Sequence, residues 1–183
     1  MEKPTQRYQD VARLFREHAR LQDPETIFEP ATSEELSAAE EALGCRFPAS
    51  YGWFQREFGY FPNGPLDIYS VRGAEPPSVN IVGINVEARD GYLPLPPHLI
   101  LFSDSGGSDF YCFDTSALER GECPIVWWDH EGSEVRPPEL VAPSFLDWIE
   151  AELRERAAEA KESLLDSVGY VHLDWIRNWL KNK

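Results

Sequence analysis

The amino-acid sequence predicts an α+β fold: an antiparallel β-sheet flanked by N-terminal helices and a C-terminal helix, with an extra C-terminal helix. Apolar residues recur at helical spacing in the first third of the chain and again near its end. The middle third holds short apolar runs, rich in β-branched and aromatic residues, between loops. Because 183 residues suffice for one good core and are short for two, we expect a single domain spanning 1–183.

The first two helices are indicated by residue spacing and by their ends. Residues 5–21 place apolar side chains three and four positions apart, which is typical of an amphipathic helix. Thr32, with Glu35 three positions later, forms a capping-box pattern at the start of the second helix. Gly44 is suited to ending that helix.

A third helix is expected between Pro48 and Gly59. Proline suits a first helical turn and glycine suits a helix end. Tyr51, Phe54 and Phe58 share one face of this helix. The first third of the chain is therefore predicted to be helical.

The sheet is expected to begin near residue 60. Residues 60–70 carry a Pro-Asn-Gly-Pro turn followed by an alternating run. Three further strand candidates, joined by loops of the length usual in an antiparallel meander, are 98–102, 110–115 and 124–130.

Residues 78–91 are ambiguous by composition and spacing alone. Their β-branched content favours a strand. The spacing of Val79, Val82 and Val86 instead fits one face of a helix.

The C-terminal part of the chain is expected to form two helical pieces. Ser144 is a favourable N-cap for the first, whose apolar stripe should lie on the sheet and consists of Phe145, Trp148, Ile149 and Leu153. Gly169 interrupts the pattern, and the tail beyond it carries aromatic and aliphatic residues at helical spacing. This tail is expected to pack on its own chain, or alternatively on a partner.

The net charge narrows the range of partners. The chain carries 32 acidic and 17 basic side chains, a formal charge of −15, which repels nucleic-acid phosphates and anionic lipid surfaces. A basic partner is favoured. The N-terminal residues show no signal-peptide pattern and no run is long enough for a membrane span, so we expect a soluble, cytoplasmic protein. The three cysteines form no CxxC pair and are expected to be reduced, mostly buried thiols.

Residues 103–108 read SDSGGS and resemble the segment around the nucleophile of chymotrypsin-like proteases. A nucleophilic Ser105 would need a histidine base and a carboxylate to orient it. None of the four histidines lies in that family's sequence context. Two glycines between apolar runs instead favour a turn.

A metal or catalytic site is the remaining chemical alternative. Five carboxylates could converge in space, namely Asp104, Asp109, Asp114, Asp129 and Glu131. Their order fits no known metal-binding loop, and residues 104–115 lack the EF-hand ligand pattern. We therefore expect no metal, no cofactor and no catalytic residue.

Two blocks of the sequence carry motifs in an order typical of a known protein family. Residues 33–64 read SEELSAAEEALGCRFPASYGWFQREFGYFPNG, with a helix carrying Glu40 or Glu41, a Leu-Gly pair and the Phe-Pro-x-x-Tyr motif. The second block has an apolar strand, a Gly-rich turn with an acidic residue, a Tyr/Phe-x-x-Asp strand (here FYCFDTS), the segment PIVWWDHE and a Ser-Phe helix. Together these blocks cover roughly 33–153 and resemble the SUKH superfamily, the Smi/Knr-like immunity proteins.

The resemblance implies an α+β domain that binds and does not catalyse. Its core would span 33–153 and would include a helix at 78–90. The N-terminal helix within 1–32 is expected from residue spacing, and the helical appendage at 163–183 is not required by the family pattern. Members of the superfamily neutralise a cognate toxin, often a nuclease, while some fungal relatives act as signalling scaffolds. The expected function is thus that of an immunity protein with a basic toxin as partner, and the alternative is a regulatory scaffold without a toxin.

An acidic segment is the expected contact surface. Residues 103–134 hold eight acidic side chains and only one basic side chain, Arg120. A basic partner would be steered towards such a surface, and aromatic residues near it would serve as anchors. The candidate binding residues are Asp104, Asp109, Asp114, Asp129, Glu131, Trp127 and Trp128.

Overall fold

The fold is described for residues 6–22, 28–59, 66–72, 80–90, 95–106, 109–129 and 136–161 of a computed structural model. Its helices are α1 (Gln6–Gln22), α2 (Ser33–Leu43), α3 (Ala49–Glu57), α4 (Ile81–Asp90) and α5 (145–161). Its strands are β1 (Leu99–Gly106), β2 (Asp109–Asp114), β3 (Ile125–Trp128) and β4 (Glu139–Ala142), with a short 3-10 helix (Thr115–Ala117) after β2. The strands form an antiparallel sheet in the order β1-β2-β3-β4, which confirms the predicted α+β class.

Helix α1 covers the residues that the sequence predicted and packs against α3. Its Val11 and Phe15 are buried. The Phe15 ring lies 5.0 Å from the Phe54 ring and 4.5 Å from the Phe58 ring, centroid to centroid. Helix α1 therefore contributes directly to the hydrophobic core.

Helix α2 has both of its predicted ends. The Glu35 N–H donates to the Thr32 hydroxyl oxygen (3.1 Å), and the Thr32 N–H donates to the Glu35 carboxylate (2.7 Å). At the other end, Gly44 has φ +65° and its N–H donates to the Glu41 carbonyl oxygen. Glycine adopts this left-handed conformation without steric cost, so the helix ends here.

Helix α3 begins directly after Pro48 and ends before Gly59, as predicted. Gly59 has φ +63° and lies so close to residue 29 that a Cβ would sit 1.8 Å from the Glu29 carbonyl oxygen. The predicted aromatic face of the helix is buried and consists of Tyr51, Phe54 and Phe58.

Residues 66–72 run beside the outer edge of β1 without forming a regular strand. The Tyr69 N–H donates to the Phe102 carbonyl oxygen (2.8 Å). The sequence predicted a strand within 60–70, whereas the described part of that range forms only isolated bridges. Residues 60–65 lie outside the described residues.

Within the ambiguous segment 78–91, Ile81–Asp90 form helix α4, as the family resemblance implied. The valine spacing thus indicated the right element, but the valines are not its buried side: Val82 is half-buried, Val86 is 43% exposed, and Val79 lies outside the described residues. The rotation of the helix is set by Asn85, whose side-chain amide accepts from the Leu101 N–H (2.9 Å) and donates to its carbonyl oxygen (2.8 Å). These two bonds satisfy the backbone of Leu101 at the outer edge of β1, which would otherwise be buried without partners. The buried residues of α4 are Ile81, Asn85 and Ala88.

Strand β1 is longer than the sequence predicted, which corrects the turn assigned to 103–108. Pairing with β2 continues through Ser103, Asp104 and Gly106, the last opposite Asp109. Register shifts after residues 101 and 104 mark bulges, where a strand tolerates Ser and Gly. Ser and Gly are also typical of turns, which is why the sequence predicts a turn at these positions. The two residues that follow Gly106 lie outside the described residues.

The part of the sheet formed by β3 and β4 differs from the strands that the sequence predicted. Strand β3 is shorter than the strand expected there, and β4 was not predicted. Ile125 pairs with Ala142 and Val126 with Leu140, which leaves Val141 as the extra residue of a β-bulge. A four-residue exposed strand with a bulge has no regular alternation that would identify it.

Helix α5 lies on the sheet through its predicted stripe. Its N-cap is Ser144, whose hydroxyl oxygen accepts from the Asp147 N–H (3.2 Å). The stripe is buried and consists of Phe145, Trp148, Ile149 and Leu153. The Trp148 ring meets the Phe102 ring of β1 edge-on at 4.9 Å. The predicted helical tail at 163–183 lies outside the described residues.

The cysteines are mostly buried, as predicted. Cys112 and Cys123 are buried, and Cys45 is half-buried. Burial raises the pKa of Cys45 to about 11 and that of Cys123 to about 12. Both groups are therefore protonated and weakly reactive at neutral pH.

Candidate partner-binding surface

Three of the predicted binding residues come together at one end of the sheet. In β1, Asp104 pairs with Phe110 of β2. Asp109 directly precedes Phe110, and Asp129 directly follows Trp128, the β3 residue that pairs with Phe110. The three residues therefore lie at the same ends of three adjoining strands, and adjoining strands are about 5 Å apart.

Asp114 lies at the opposite end of the sheet from this group. It pairs with Leu99 at the start of β1, and its carboxylate accepts hydrogen bonds from the Ser116 N–H (3.1 Å) and hydroxyl. Five strand positions separate Asp114 from Asp109, a distance of roughly 17 Å. The structure thus does not bring Asp114 together with the other carboxylates. The fifth predicted carboxylate, Glu131, lies outside the described residues.

The two tryptophans of β3 occupy different environments. Trp128 is 1% exposed and lies against Phe110, so its ring is not available at the surface. Trp127 is half-buried, and its indole N–H donates to the Ser105 hydroxyl oxygen (3.2 Å). Successive strand residues point to opposite faces, so only one of two adjacent tryptophans can reach a given face.

Ser105 is therefore a hydrogen-bond partner of Trp127. His98 directly precedes β1, seven positions from Ser105, a distance of roughly 23 Å along the strand direction. Its carbonyl oxygen accepts hydrogen bonds from Thr115 at the other end of the sheet. His130 and His172 lie outside the described residues.

Tyr111 is a surface aromatic that the sequence reading missed. It is half-buried and pairs directly with Trp127 across β2 and β3. Its ring also lies 5.3 Å from the Trp148 ring of α5. Burial raises the pKa of Tyr111, and the charges of Glu152 and Glu155 add to this effect. The pattern DFYCFD gives the alternation, but only the strand register shows that Tyr111 adjoins Trp127.

Five residues lie at or beside this end of the sheet, and we call them the sheet-end surface: Asp104, Asp109, Tyr111, Trp127 and Asp129. Asp104 pairs with Phe110 and so belongs to the face of Trp128, at the same end of the sheet but opposite the face of Trp127. The surface continues onto α5 through Glu152, which is half-buried. Burial raises the pKa of Glu152, and the charges of Glu155 and Glu159 raise it further against the opposing effect of Arg156. The ionised form of a carboxylate whose pKa is raised in this way is stabilised when a cationic group of a partner approaches it.

Two other acidic residues of the predicted segment serve the fold. The Glu122 carboxylate accepts hydrogen bonds from the N–H and the hydroxyl of Ser50 at the start of α3. Glu119 forms an exposed ion pair with Arg120 (3.7 Å). Among the described residues, the acidic side chains of 103–129 are thus divided between contacts within the fold and the sheet-end surface.

Two adjoining clefts open on α2 and α3, with volumes of about 560 and 200 Å³. Both are lined by Ser37 and Glu40. The Glu40 carboxylate accepts from the Phe47 N–H (2.9 Å) and the Arg46 guanidinium (2.7 Å), so it holds the turn between α2 and α3. Of the two glutamates that the family resemblance offered, Glu40 is the one with this structural role.

Two structural features are absent from the described residues. No group of three or more His, Cys, Asp or Glu side chains in this part of the chain is arranged to hold a metal ion. None of the helices in the same part is both long enough and apolar enough to cross a membrane.

Comparison with known protein families identifies the fold. A family model described as SUKH_5, SMI1-KNR4 cell-wall, matches residues 11–154. The matched range includes most of α1, which the sequence resemblance had left outside its 33–153 core, and it extends well into α5. Since the match covers more than half of the 183 residues, the chain belongs to the SUKH superfamily.

Proposed function

We propose that this protein is an immunity protein that neutralises a basic toxin by binding it through the sheet-end surface. Membership of the SUKH superfamily supports an immunity-type role. The observation that carries the choice of surface is the position of Trp127. This half-buried ring is held by Ser105 and lies beside the end of the sheet that carries Asp104, Asp109 and Asp129.

The charge of the chain supports a basic partner, with a nuclease as the favoured class. A nuclease carries cationic groups for the phosphates of its substrate. A protein with a net charge of −15 attracts such a surface over a distance and can cover it. Aromatic side chains beside the charges, such as Trp127 and Tyr111, supply the buried contacts that retain a partner.

Binding, and not catalysis, is the proposed mode of action. The Ser105 hydroxyl is engaged by the Trp127 indole, and His98 lies at the other end of β1. The protein would therefore act by occupying the toxin's surface. We also propose that it works in the cytoplasm, where such a toxin would meet nucleic acid.

The test is co-expression with toxin domains encoded next to this gene. The wild-type chain is expected to restore growth with one of them, and the purified pair should form a one-to-one complex. Trp127→Ala and the triple variant Asp104→Asn, Asp109→Asn, Asp129→Asn should both weaken protection. Asp114→Asn is the matched control, because Asp114 lies at the opposite end of the sheet.

The proposal also predicts how association responds to salt. Raising ionic strength should slow association of the wild-type protein steeply and that of the triple variant only weakly. Failure of every neighbouring toxin domain to be neutralised would contradict the proposed function. Equal effects of Asp114→Asn and the triple variant would contradict the choice of surface.

A regulatory scaffold without a toxin is the second candidate function. The cell-wall description of the matching family favours it. The two candidates differ in their genetic context, since a scaffold needs no toxin gene nearby. Deletion of the gene would then change cell-wall properties without exposing the cell to a toxin.

A further inference from the structure

The Trp127 side chain lies across strand β2 along the surface of the sheet. Its indole N–H donates to the Ser105 hydroxyl oxygen in β1 (3.2 Å). Strand β2 lies between β3 and β1, so these two strands are roughly 10 Å apart. A side chain standing upright on β3 could not span that distance. The ring is therefore held along the sheet, and because Trp127 is only half-buried, part of the ring is open to solvent.

Tyr111 and Glu139 flank Trp127 on the same face of the sheet. Tyr111 pairs directly with Trp127 on one side, and Glu139 pairs directly with it on the other. Directly opposite residues of antiparallel strands project from the same face, with Cβ atoms about 5 Å apart. Asp109 precedes Tyr111 by two positions in β2 and so shares this face. The indole is thus bordered by a second aromatic ring and by acidic side chains.

Two carboxylates near this row are available to a partner. Glu139 is exposed, and its carboxylate forms no hydrogen bond or ion pair within the described part of the chain. The same is true of the Glu152 carboxylate of α5, whose charge adds to the effect of burial in raising the pKa of Tyr111. Glu150 of the same helix, by contrast, is paired with Arg7 (2.7 Å). The region around the Trp127 ring therefore attracts a cationic group.

A partly open indole beside a carboxylate is suited to a guanidinium group. A guanidinium is planar, so it can stack on an aromatic face while its N–H groups donate sideways to a carboxylate. A lysine ammonium is a compact point charge and lacks this planar fit. The geometry therefore favours arginine over lysine.

We propose that the Trp127 ring binds an arginine side chain of the toxin, whose guanidinium stacks on the indole and donates to the Glu139 carboxylate. This rests on the proposed function and specifies the chemistry of the partner. A second copy of this chain is a poor source of the arginine, because two molecules that each carry a charge of −15 repel each other.

The first experiment uses an inactive variant of the toxin domain that the co-expression screen selects. Glu139→Gln should raise the dissociation constant measured by calorimetry about tenfold, because the guanidinium loses a charged acceptor. Glu87→Gln is the matched control. It makes the same charge change at an exposed position of α4, which lies beside β1 at the opposite edge of the sheet from β4. It should change the constant less than about twofold.

Replacement of each exposed toxin arginine by lysine then identifies the bound side chain. One such replacement should weaken binding to the wild-type chain about tenfold and binding to Glu139→Gln about twofold or less. Thermal unfolding of Glu139→Gln and Glu87→Gln verifies that both exposed substitutions leave the fold intact.

A second experiment needs no toxin. A hexa-arginine peptide is titrated into isotope-labelled protein, and the Trp127 indole N–H resonance is followed by nuclear magnetic resonance after assignment with Trp127→Phe. Hexa-arginine should shift this resonance at about fivefold lower concentration than hexa-lysine. Glu139→Gln should remove most of that preference, whereas Glu87→Gln should retain it.

The outcomes separate the two proposals. If the toxin binds and Glu139→Gln weakens it no more than Glu87→Gln, or if lysine replaces every toxin arginine without loss, the arginine site is wrong while the immunity function stands. If sedimentation shows a dimer that Glu139→Gln abolishes without affecting toxin binding, the occupant is a second copy and the proposal is overturned. If no toxin is neutralised but hexa-arginine is preferred at Trp127, the guanidinium site stands and the immunity function falls. If neither is observed, both fall.

Discussion

The Glu122 carboxylate replaces the missing N-cap side chain of α3 by bonding to Ser50. Pro48, the N-cap residue, offers no side-chain acceptor. Glu122 accepts from the Ser50 N–H (2.9 Å) and from the Ser50 hydroxyl (2.7 Å), and the Gly121 carbonyl oxygen accepts from the Ala49 N–H (2.7 Å). The loop between β2 and β3 thereby attaches to the helix whose aromatic residues fill the core.

Removal of this cap should lower stability. Glu122→Ala leaves the buried Ser50 hydroxyl and a helix N–H without an acceptor, so we expect a loss of about 1–3 kcal/mol in the free energy of unfolding. Urea unfolding followed by circular dichroism measures it. Glu119→Ala, which removes only an exposed ion pair, should cost less than about 0.5 kcal/mol. Similar losses for the two variants would show that the cap contributes little.

Two glycines with the same backbone conformation should respond differently to alanine. Gly44 and Gly59 have φ of +65° and +63°, but a Cβ on Gly44 meets no atom within 4 Å, while one on Gly59 would overlap the Glu29 carbonyl. Gly44→Ala should cost about 1–2 kcal/mol from left-handed strain alone. Gly59→Ala should cost at least about 3 kcal/mol, because residues 29 and 30 must also move. The difference in thermal midpoint tests this; equal midpoints would mean that the chain near residue 29 yields easily.

The stabilisation provided by the hydrogen bonds between α1 and α5 should depend on pH. Arg7 donates to Asp147 and Glu150, and Ser144 also donates to Asp147. Burial alone would raise the pKa of Asp147, but the hydrogen bonds from Ser144 and Arg7 outweigh it and place this pKa below its ordinary value.

Because the folded pKa of Asp147 is lowered, its ionised form stabilises the fold above the ordinary carboxyl pKa of about 4, and this stabilisation disappears as pH falls through the lowered value. Asp147→Asn should therefore cost up to about 1 kcal/mol at pH 7, given that Arg7 and Asp147 are partly exposed. The difference from wild type should shrink below about pH 4. Urea titrations at pH 7 and pH 3 measure it, with exposed Asp10→Asn as the control. A gap that stays constant with pH would argue against ionisation as the cause.

Ser105 should act on binding only through Trp127. Ser105→Ala removes the acceptor of the Trp127 indole N–H and frees the ring, so the toxin dissociation constant should rise about threefold to tenfold. In a Trp127→Phe background, which lacks the indole donor, Ser105→Ala should have almost no further effect. A double-mutant cycle by calorimetry measures this coupling. Additive effects would mean that Ser105 contacts the toxin independently.

The sequence determined most of the helical elements by itself. The capping box of Thr32 and Glu35, the stop at Gly44 and the apolar stripe of α5 depend on contacts within a few residues, so local rules identify them. The charge of −15 and the strand runs that became β2 and β3 are equally properties of the sequence alone.

Only the tertiary structure decided which side of α4 is buried and where β1 ends. Asn85 lies in the core because its amide replaces a neighbouring strand at Leu101, and a pairing between residues 16 positions apart has no local signature. Continuation of β1 through Ser103 and Asp104 likewise requires β2 beside it.

The candidate binding surface was likewise determined partly by the sequence and partly by the tertiary structure. Acidic residues and tryptophans were visible in the sequence, but their distribution over two ends and two faces was not. The sequence could not tell Trp127 from Trp128, because two adjacent strand residues differ only in the face to which they point. Strand register places Tyr111 beside Trp127, separates Asp114 from Asp109, and seats Glu139 next to the ring. The sequence thus shows which residue types are present. Which of them become neighbours is decided by long-range strand pairing, which depends on the whole sheet.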